Sequence, residues 1–231
     1  MKVLLFGATG MIGSGVLLEC LDSADVSTIT SISRRPTGVA HAKLTERLHG
    51  DFEEYGPVRD AFEGVDACFF CLGVSAVGMS EEAYRKVTYD VPAAAAAALW
   101  AVSPDARFIY ISGAGADSTG KGRVMWARVK GQIENHLITL GGDRAYSFRP
   151  GFIQPMRGVT SRTRWYQAMY AVLKYAYPLL RRLDRWVTST VEVGRAMIRV
   201  GAEGSAVCPG RIVETRDINR IAQRPGAGRA G

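Results

Sequence analysis

Histidine and cysteine are scarce in this sequence, at three and four residues in 231. The cysteines Cys20, Cys68, Cys71 and Cys208 are too few and too scattered for a disulfide framework, so the chain reads as cytoplasmic with reduced thiols. Cys68-Phe69-Phe70-Cys71 has the spacing of a redox or metal pair. It lies inside an apolar run, however, where strand alternation sends the two sulfurs to opposite faces. No second pair supports it, and His41, His49 and His136 stand apart, so no metal site is expected and the thiols are read as core packing. No Ser-His-Asp order is evident, which leaves hydrolysis without support. Long hydrophobic runs are missing too: the longest candidate, Trp165–Tyr177, falls short of the ~18–20 residues of a membrane span. The opening MKVLLFGATG is interrupted by glycine and lacks a small-residue cleavage site, so it does not read as a signal peptide.

What is present fits an ordinary globular chain. Apolar residues make up 47% and charged residues 22%, and a chain of this length buries about 70% of its unfolded surface without needing a disulfide or metal. The net charge of +7 is unevenly spread. Residues 1–148 carry 14 basic and 17 acidic groups, whereas residues 149–231 carry 15 basic and 5 acidic groups. Such an excess raises the question of an anionic partner. No nucleic-acid motif accompanies it, and nucleic acid is not an expected partner.

Short apolar or β-branched runs at 2–6, 28–33, 45–48, 67–72, 107–111 and 145–148 predict strands. Between them, helical spacing runs over 11–21, 58–62, 81–102 (with Pro92 as a kink or break) and from near Gly122 to Leu140. Beyond Pro150 the rhythm changes, with a helix at 190–200, a short strand at 211–214 and a last helical turn near 217–222. This alternation predicts βαβ units in a doubly wound parallel α/β sheet.

The first strand runs into Gly7-Ala8-Thr9-Gly10-Met11-Ile12-Gly13 and then a helix, the context of a dinucleotide-binding turn. Gly7 makes the tight turn, Gly10 admits the pyrophosphate close to the backbone, and Gly13 lets helix pack on strand. The helix N-terminus, with Thr9, Met11 and Ile12 around it, offers free N–H groups and partial positive charge to phosphates. A carboxylate at the end of the second strand would select NAD. Here Ser33-Arg34-Arg35 stands there, with no acid until Glu46, and a guanidinium matches a 2′-phosphate. NADP is expected ahead of NAD.

These pieces, together with Gly50-Asp51-Phe52-Glu53, Ala61-Phe62-Glu63-Gly64-Val65-Asp66, Cys71-Leu72-Gly73, Val129-Lys130-Gly131 and Phe148-Arg149-Pro150-Gly151, resemble the atypical short-chain dehydrogenase/reductases. Within them the likeness is to the Tat-interacting-protein oxidoreductase group, over about residues 1–155. The resemblance implies a Rossmann fold in which Asp51 and Phe52 flank the adenine. It further implies that Leu72-Gly73-Val74 passes the adenine-side ribose and that the Pro150, Gly151, Phe152 and Ile153 backbone meets the nicotinamide carboxamide. Lys130 would be the family lysine that holds the nicotinamide ribose. Four residues earlier, where the family's catalytic tyrosine belongs, stands Trp126, whose indole donates a hydrogen bond but cannot exchange a proton near neutral pH. Ser112, ending the fifth strand, either faces the substrate or bonds loop backbone; in many relatives the hydroxyl lies where this chain has Ala114. Tyr84, Tyr89 and Tyr110 are off the spacing that would replace the phenol.

The sequence divides into residues 1–155 as the NAD(P)-binding part, 156–223 as a substrate-side region of the same domain, and a tail at 224–231. Residues 157–186 interleave basic and aromatic side chains, which admits three readings: a lid over a small-molecule substrate with arginine pairing an anionic one, a peripheral contact with an anionic membrane, or a core helix with solvated arginines. Two function classes stand: an NADP(H)-dependent oxidoreductase of a small carbonyl or enone, and a non-catalytic, cofactor-gated binding or regulatory protein.

Overall fold

A computed structural model describes residues 1–159 and 185–224. Strand β1 (Lys2–Phe6) leads into helix α1 (Met11–Asp22), followed by β2 (Thr28–Ser33), β3 (Leu44–Leu48), a 3-10 turn (Gly56–Phe62) and β4 (Ala67–Phe70). Next come α2 (Glu81–Arg85), a π turn (Lys86–Asp90), α3 (Val91–Val102), β5 (Arg107–Ile111), α4 (Met125–Gly141) and β6 (Ala145–Arg149). The described chain ends with β7 (Phe152–Gln154), β8 (Val187–Ser189), α5 (Thr190–Glu203), β9 (Ile212–Glu214) and α6 (Thr215–Gln223). Among the described residues, seven strands form one parallel sheet in the order β3-β2-β1-β4-β5-β6-β9, while β7 and β8 pair separately.

The continuous apolar runs of the sequence are strands covered on both faces. Val3, Leu5 and Phe69 face α1, α5 and α6, whereas Leu4, Phe6, Cys68 and Phe70 face the 3-10 turn, α3 and α4. Cys68 and Cys71 accordingly sit on opposite faces, and burial pushes both thiols' pKa values up, as in unreactive core cysteines. No helix among the described residues is long and apolar enough to cross a membrane.

Several elements end elsewhere than the pattern predicts. The fourth strand stops at Phe70 rather than Leu72, because only the Cys71 N–H still joins Phe6 O (3.0 Å) before the chain turns past Gly7. Helix α4 begins at Met125 rather than near Gly122. The Asp117 carboxylate gathers the Thr119 N–H (2.9 Å), the Thr119 hydroxyl (2.6 Å) and the Gly122 N–H (2.6 Å), a side-chain turn that competes with helix. The 81–102 run is broken just ahead of Pro92, into α2 and α3. The preceding π turn, closed by the Val91 N–H on Lys86 O, puts the proline at the start of α3, where no N–H is needed. The Thr88 carbonyl, four residues before Pro92, instead accepts from the Tyr110 hydroxyl at 3.4 Å. Strands β7 and β8 escape periodicity because each has three residues. The final turn is a helix of nine residues whose Thr215, Ile218, Ile221 and Ala222 are buried.

Candidate cofactor-binding site

The strand order reverses at β1, between β2 and β4, so a crevice opens at the carboxyl ends of β1 and β4. Gly7 lies there with φ +79°, and a Cβ added to it would come within 2.6 Å of the Leu72 nitrogen and 2.7 Å of the Cys71 carbonyl carbon. A Cβ on Gly13 would lie 2.1 Å from Gly7 O, so the first turn of α1 rests directly on the loop. Gly10 is different: its Cβ would meet only Gly7 O, at 3.3 Å, and the rest of its surroundings are open. The first intrahelical bond is Ser14 N–H to Gly10 O (2.8 Å), and no side chain caps the helix. The N–H groups of Met11, Ile12 and Gly13 are therefore left to an anion, beside the half-buried Thr9. This cradle fits a pyrophosphate.

At the end of β2, Arg34 and Arg35 are exposed, and neither forms a salt bridge with a described residue. The Ser33 hydroxyl donates to Arg35 O at 2.6 Å and sets the turn. Glu46, the first acid after the arginines, accepts the Thr37 N–H at 2.6 Å. Arg34 lines a cleft of about 450 Å³ with Gly50, Asp51, Phe52, Glu53, Lys86, Val87 and Val91. Phe52 sets its ring against Phe6 and His49, both 6.3 Å away, and Asp51 Oδ1 accepts the Glu53 N–H at 3.0 Å. Leu72 is half-buried beside the core, while Gly73 and Val74 are exposed.

The other end of the crevice lies past β5 and β6. Ser112 donates its N–H to Phe148 O at 2.8 Å, and its hydroxyl is buried without a hydrogen-bond partner. Pro150 O accepts the Ala114 N–H (3.0 Å), Gly151 N–H goes to the Thr215 hydroxyl (2.9 Å), and Phe152 N–H goes to Trp186 O (2.8 Å). These bonds, together with the β7–β8 ladder that pairs Phe152 with Val187 and Ile153 with Thr188, engage the backbone of the Pro150–Ile153 stretch within the protein. Gly151 is required by close approach, since its Cβ would lie 2.5 Å from Trp186 O.

Lys130 extends from α4 past Gly113, with its Cδ 3.9 Å from where a Cβ on that glycine would be, and its ammonium lies 5.5 Å from the centre of the Tyr110 ring. Burial pulls its pKa down to about 8, against the attraction of Glu134 one turn later. Glu134 is fully buried and gripped by Arg149 through Nε (3.0 Å) and Nη2 (2.5 Å). Arg149 also reaches Ser118 Oγ (2.6 Å) and Glu214 (3.3 Å). Trp126 lies half-buried, its ring 3.5 Å from the place of a Cβ on Gly115 in the loop after β5. None of the three tyrosines stands in for a phenol at this end. The Tyr110 hydroxyl points into the core and burial drives its pKa up, Tyr84 is buried with its pKa raised for the same reason, and Tyr89 stacks under Arg85 (3.9 Å) in a separate groove with His136.

Residues 7–139 match the family described as NAD(P)H-binding. The chain belongs to that family. A protein named fmp52, mitochondrial, from Aspergillus fumigatus is 30% identical over 212 residues, covering 87% of this chain and 86% of the relative. The protein of the same name from Emericella nidulans is 28% identical over 208 residues, covering 87% of each. Among solved structures, an oxidoreductase of the short-chain dehydrogenase/reductase family from Burkholderia thailandensis is similar with a TM-score of 0.64 at 14% identity, over 87% of this chain and 85% of that one. MoeE5 in complex with UDP-glucose and NAD is similar with a TM-score of 0.62 at 16% identity, over 88% and 73%. At these identities the likeness shows the fold, a Rossmann-type parallel α/β sheet.

The family relatives overturn one expectation. They are named as mitochondrial proteins, so the reading of this chain as cytoplasmic is corrected. Sparse, unpaired thiols exclude a disulfide framework, but any reducing compartment allows them, and they do not identify the cytosol. The three readings of residues 157–186 fall largely on residues 160–184, which lie outside the described residues, as does nearly all of the tail. Two contacts of the site are not legible in the sequence, although Arg149 and Gly131 both stand in matched segments. Glu134 with Arg149 pins α4 to β6, and its only signal is an acid on the inward face of a helix. Gly131 lets α4 touch the preceding loop, since a Cβ there would lie 1.7 Å from Asp117 O.

Proposed function

We propose that the chain is an NADP(H)-dependent oxidoreductase of the atypical short-chain dehydrogenase type, acting on a small carbonyl or enone. The observation that carries this reading is the buried, unpartnered Ser112 hydroxyl next in sequence to Gly113, past which the Lys130 side chain runs. When bound, the reduced nicotinamide would supply a hydride to the substrate carbon. Lys130 would hold the nicotinamide ribose through its ammonium, and Ser112 Oγ would donate a hydrogen bond to the substrate oxygen while water delivers the proton. Trp126 removes the side-chain acid that the family places there. Support for NADP(H) over NAD(H) comes from Arg34 and Arg35, free of carboxylates at the end of β2, and from Glu46 being engaged elsewhere.

Purified protein mixed with NADPH and a panel of aldehydes, ketones and enones should oxidise the cofactor. Ser112→Ala should lower kcat about tenfold or more while leaving cofactor affinity in place, and Trp126→Tyr should raise kcat. Tight cofactor binding with no turnover across the panel overturns the enzymatic reading. A second reading is favoured by Trp126, whose ring closes on the loop at Gly115: a cofactor-gated binding or regulatory protein without hydride transfer. Any turnover that depends on Lys130 removes it.

A further inference from the structure

The cleft at the ends of β2 and β3 contains a cation that no motif singles out. Lys86 opens the π turn, and its ammonium lies 3.1 Å from Glu53 Oε1. The preceding residue, Arg85, turns the other way, donating to Gln132 Oε1 at 2.9 Å and lying over the Tyr89 ring in the groove beside α4. Lys86 instead lines the cleft with Val87, Val91 and Arg34. Two positive groups thus border one cavity. Arg34 has no salt-bridge partner among the described residues, and Lys86 is held only by a solvent-exposed carboxylate.

That ion pair is weak by position. The side chains of Lys86 and Glu53 are 66% and 50% exposed, and pairs so hydrated contribute little to stability. A phosphate monoester carries roughly two negative charges at neutral pH and three acceptor oxygens, so it competes well for the ammonium. We propose that Lys86 is a second ligand of the 2′-phosphate, leaving Glu53 for the phosphate when NADP(H) binds, so that the Glu53–Lys86 pair sets the preference for NADP(H) over NAD(H). This inference rests on the reading of the cleft as the adenosine end of the cofactor site. With NAD(H) the exchange has no incoming phosphate, and Lys86 stays on Glu53. Glu53 then acts as the competitor that the 2′-phosphate must displace.

The test is equilibrium binding of NADPH, NADH and 2′,5′-ADP to the wild-type chain and to Lys86→Ala, Glu53→Gln and Arg34→Ala, with circular dichroism confirming the fold. Lys86→Ala is expected to weaken NADPH and 2′,5′-ADP about tenfold and to shift NADH by less than about twofold. Glu53→Gln should tighten NADPH and leave NADH unchanged. An equal loss for NADPH and NADH in Lys86→Ala, or no loss in either, overturns the inference. If the wild type prefers NADPH and only Arg34→Ala removes that preference, Lys86 is excluded while the proposed cofactor stands. If the wild type binds both coenzymes equally or binds neither, the proposed cofactor preference fails and this inference with it.

Discussion

A partly desolvated ammonium without a carboxylate in contact weakens the fold until a ligand shares its charge, and the half-buried Lys130 is in that state among the described residues. Its pKa falls from 10.5 to about 8, a difference worth at most roughly 3 kcal/mol. Between those two values the unfolded chain binds more protons at this position than the folded one, so this group's contribution to stability rises with pH and its penalty is fully present below pH 8. Lys130→Met should therefore be more stable than wild type in urea at pH 7, and the gap should narrow as the pH rises toward 10. A gap that stays constant over that range would show that the ammonium is not desolvated. Saturating NADPH should reverse the order at pH 7, because ribose hydroxyls would accept from the ammonium only in the wild type. At this scale the sequence was legible where spacing carries meaning: the glycine turn that leads from β1 into α1, and the placing of Trp126 and Lys130 one turn apart on a single helix. It was silent on the unpartnered state of Ser112 and on Lys86, since both depend on which neighbours the fold brings within reach.

Helix α4 carries the lysine, and three contacts set where the helix lies. Gly131 rests on the Asp117 carbonyl, the Asp117 carboxylate winds the loop that enters the helix, and Glu134 is tied to Arg149 at the end of β6. Gly131→Ala places a methyl 1.7 Å from a backbone oxygen, and backbone on both sides leaves little room to relax. The expected cost is about 3 kcal/mol, at the upper end for overpacking, read as a lower urea midpoint with an unchanged slope. Weakened NADPH binding should accompany it, since α4 must move outward and take Lys130 along. Wild-type stability in this variant would mean that the loop, not the helix, yields. The strand–helix alternation itself was legible because buried parallel strands write continuous apolar runs and helices write a 3.6-residue period. What escaped were local overrides of those periods: the Asp117 turn that delays α4, the π turn that accommodates Pro92, and two strands too short to show a pattern.

At the scale of the whole molecule, the uneven charge of the sequence is partly resolved inside the fold. Four arginines of the basic last third reach acids of the first 148 residues: Arg149 meets Glu134, Arg157 meets Glu19 and Asp22, Arg195 meets Glu19, and Arg211 meets Asp143. Glu19 is buried between two of them, on a helix so close to α5 that a Cβ on Gly15 would lie 2.5 Å from the Thr190 Cβ. Helix α5 also lies directly on the sheet centre, where a Cβ on Gly201 would come 3.1 Å from the Ala67 Cβ. Val193, Met197, Val200, Val213, Ile218 and Ile221 are all fully buried. At ~1.5–3 kcal/mol each, these six side chains contribute roughly 9–18 kcal/mol, as much as a typical domain's entire net stability. The segment after residue 155 therefore completes the core that the nucleotide-binding part requires, whatever it does for a substrate. A chain ending at residue 155 should show no cooperative unfolding transition and no NADPH binding, and the full chain should unfold in a single step with coincident fluorescence and circular dichroism curves. A folded, cofactor-binding fragment would show instead that the first six strands of the sheet hold together without α5, and that the arginine pairs are additions to a core already complete.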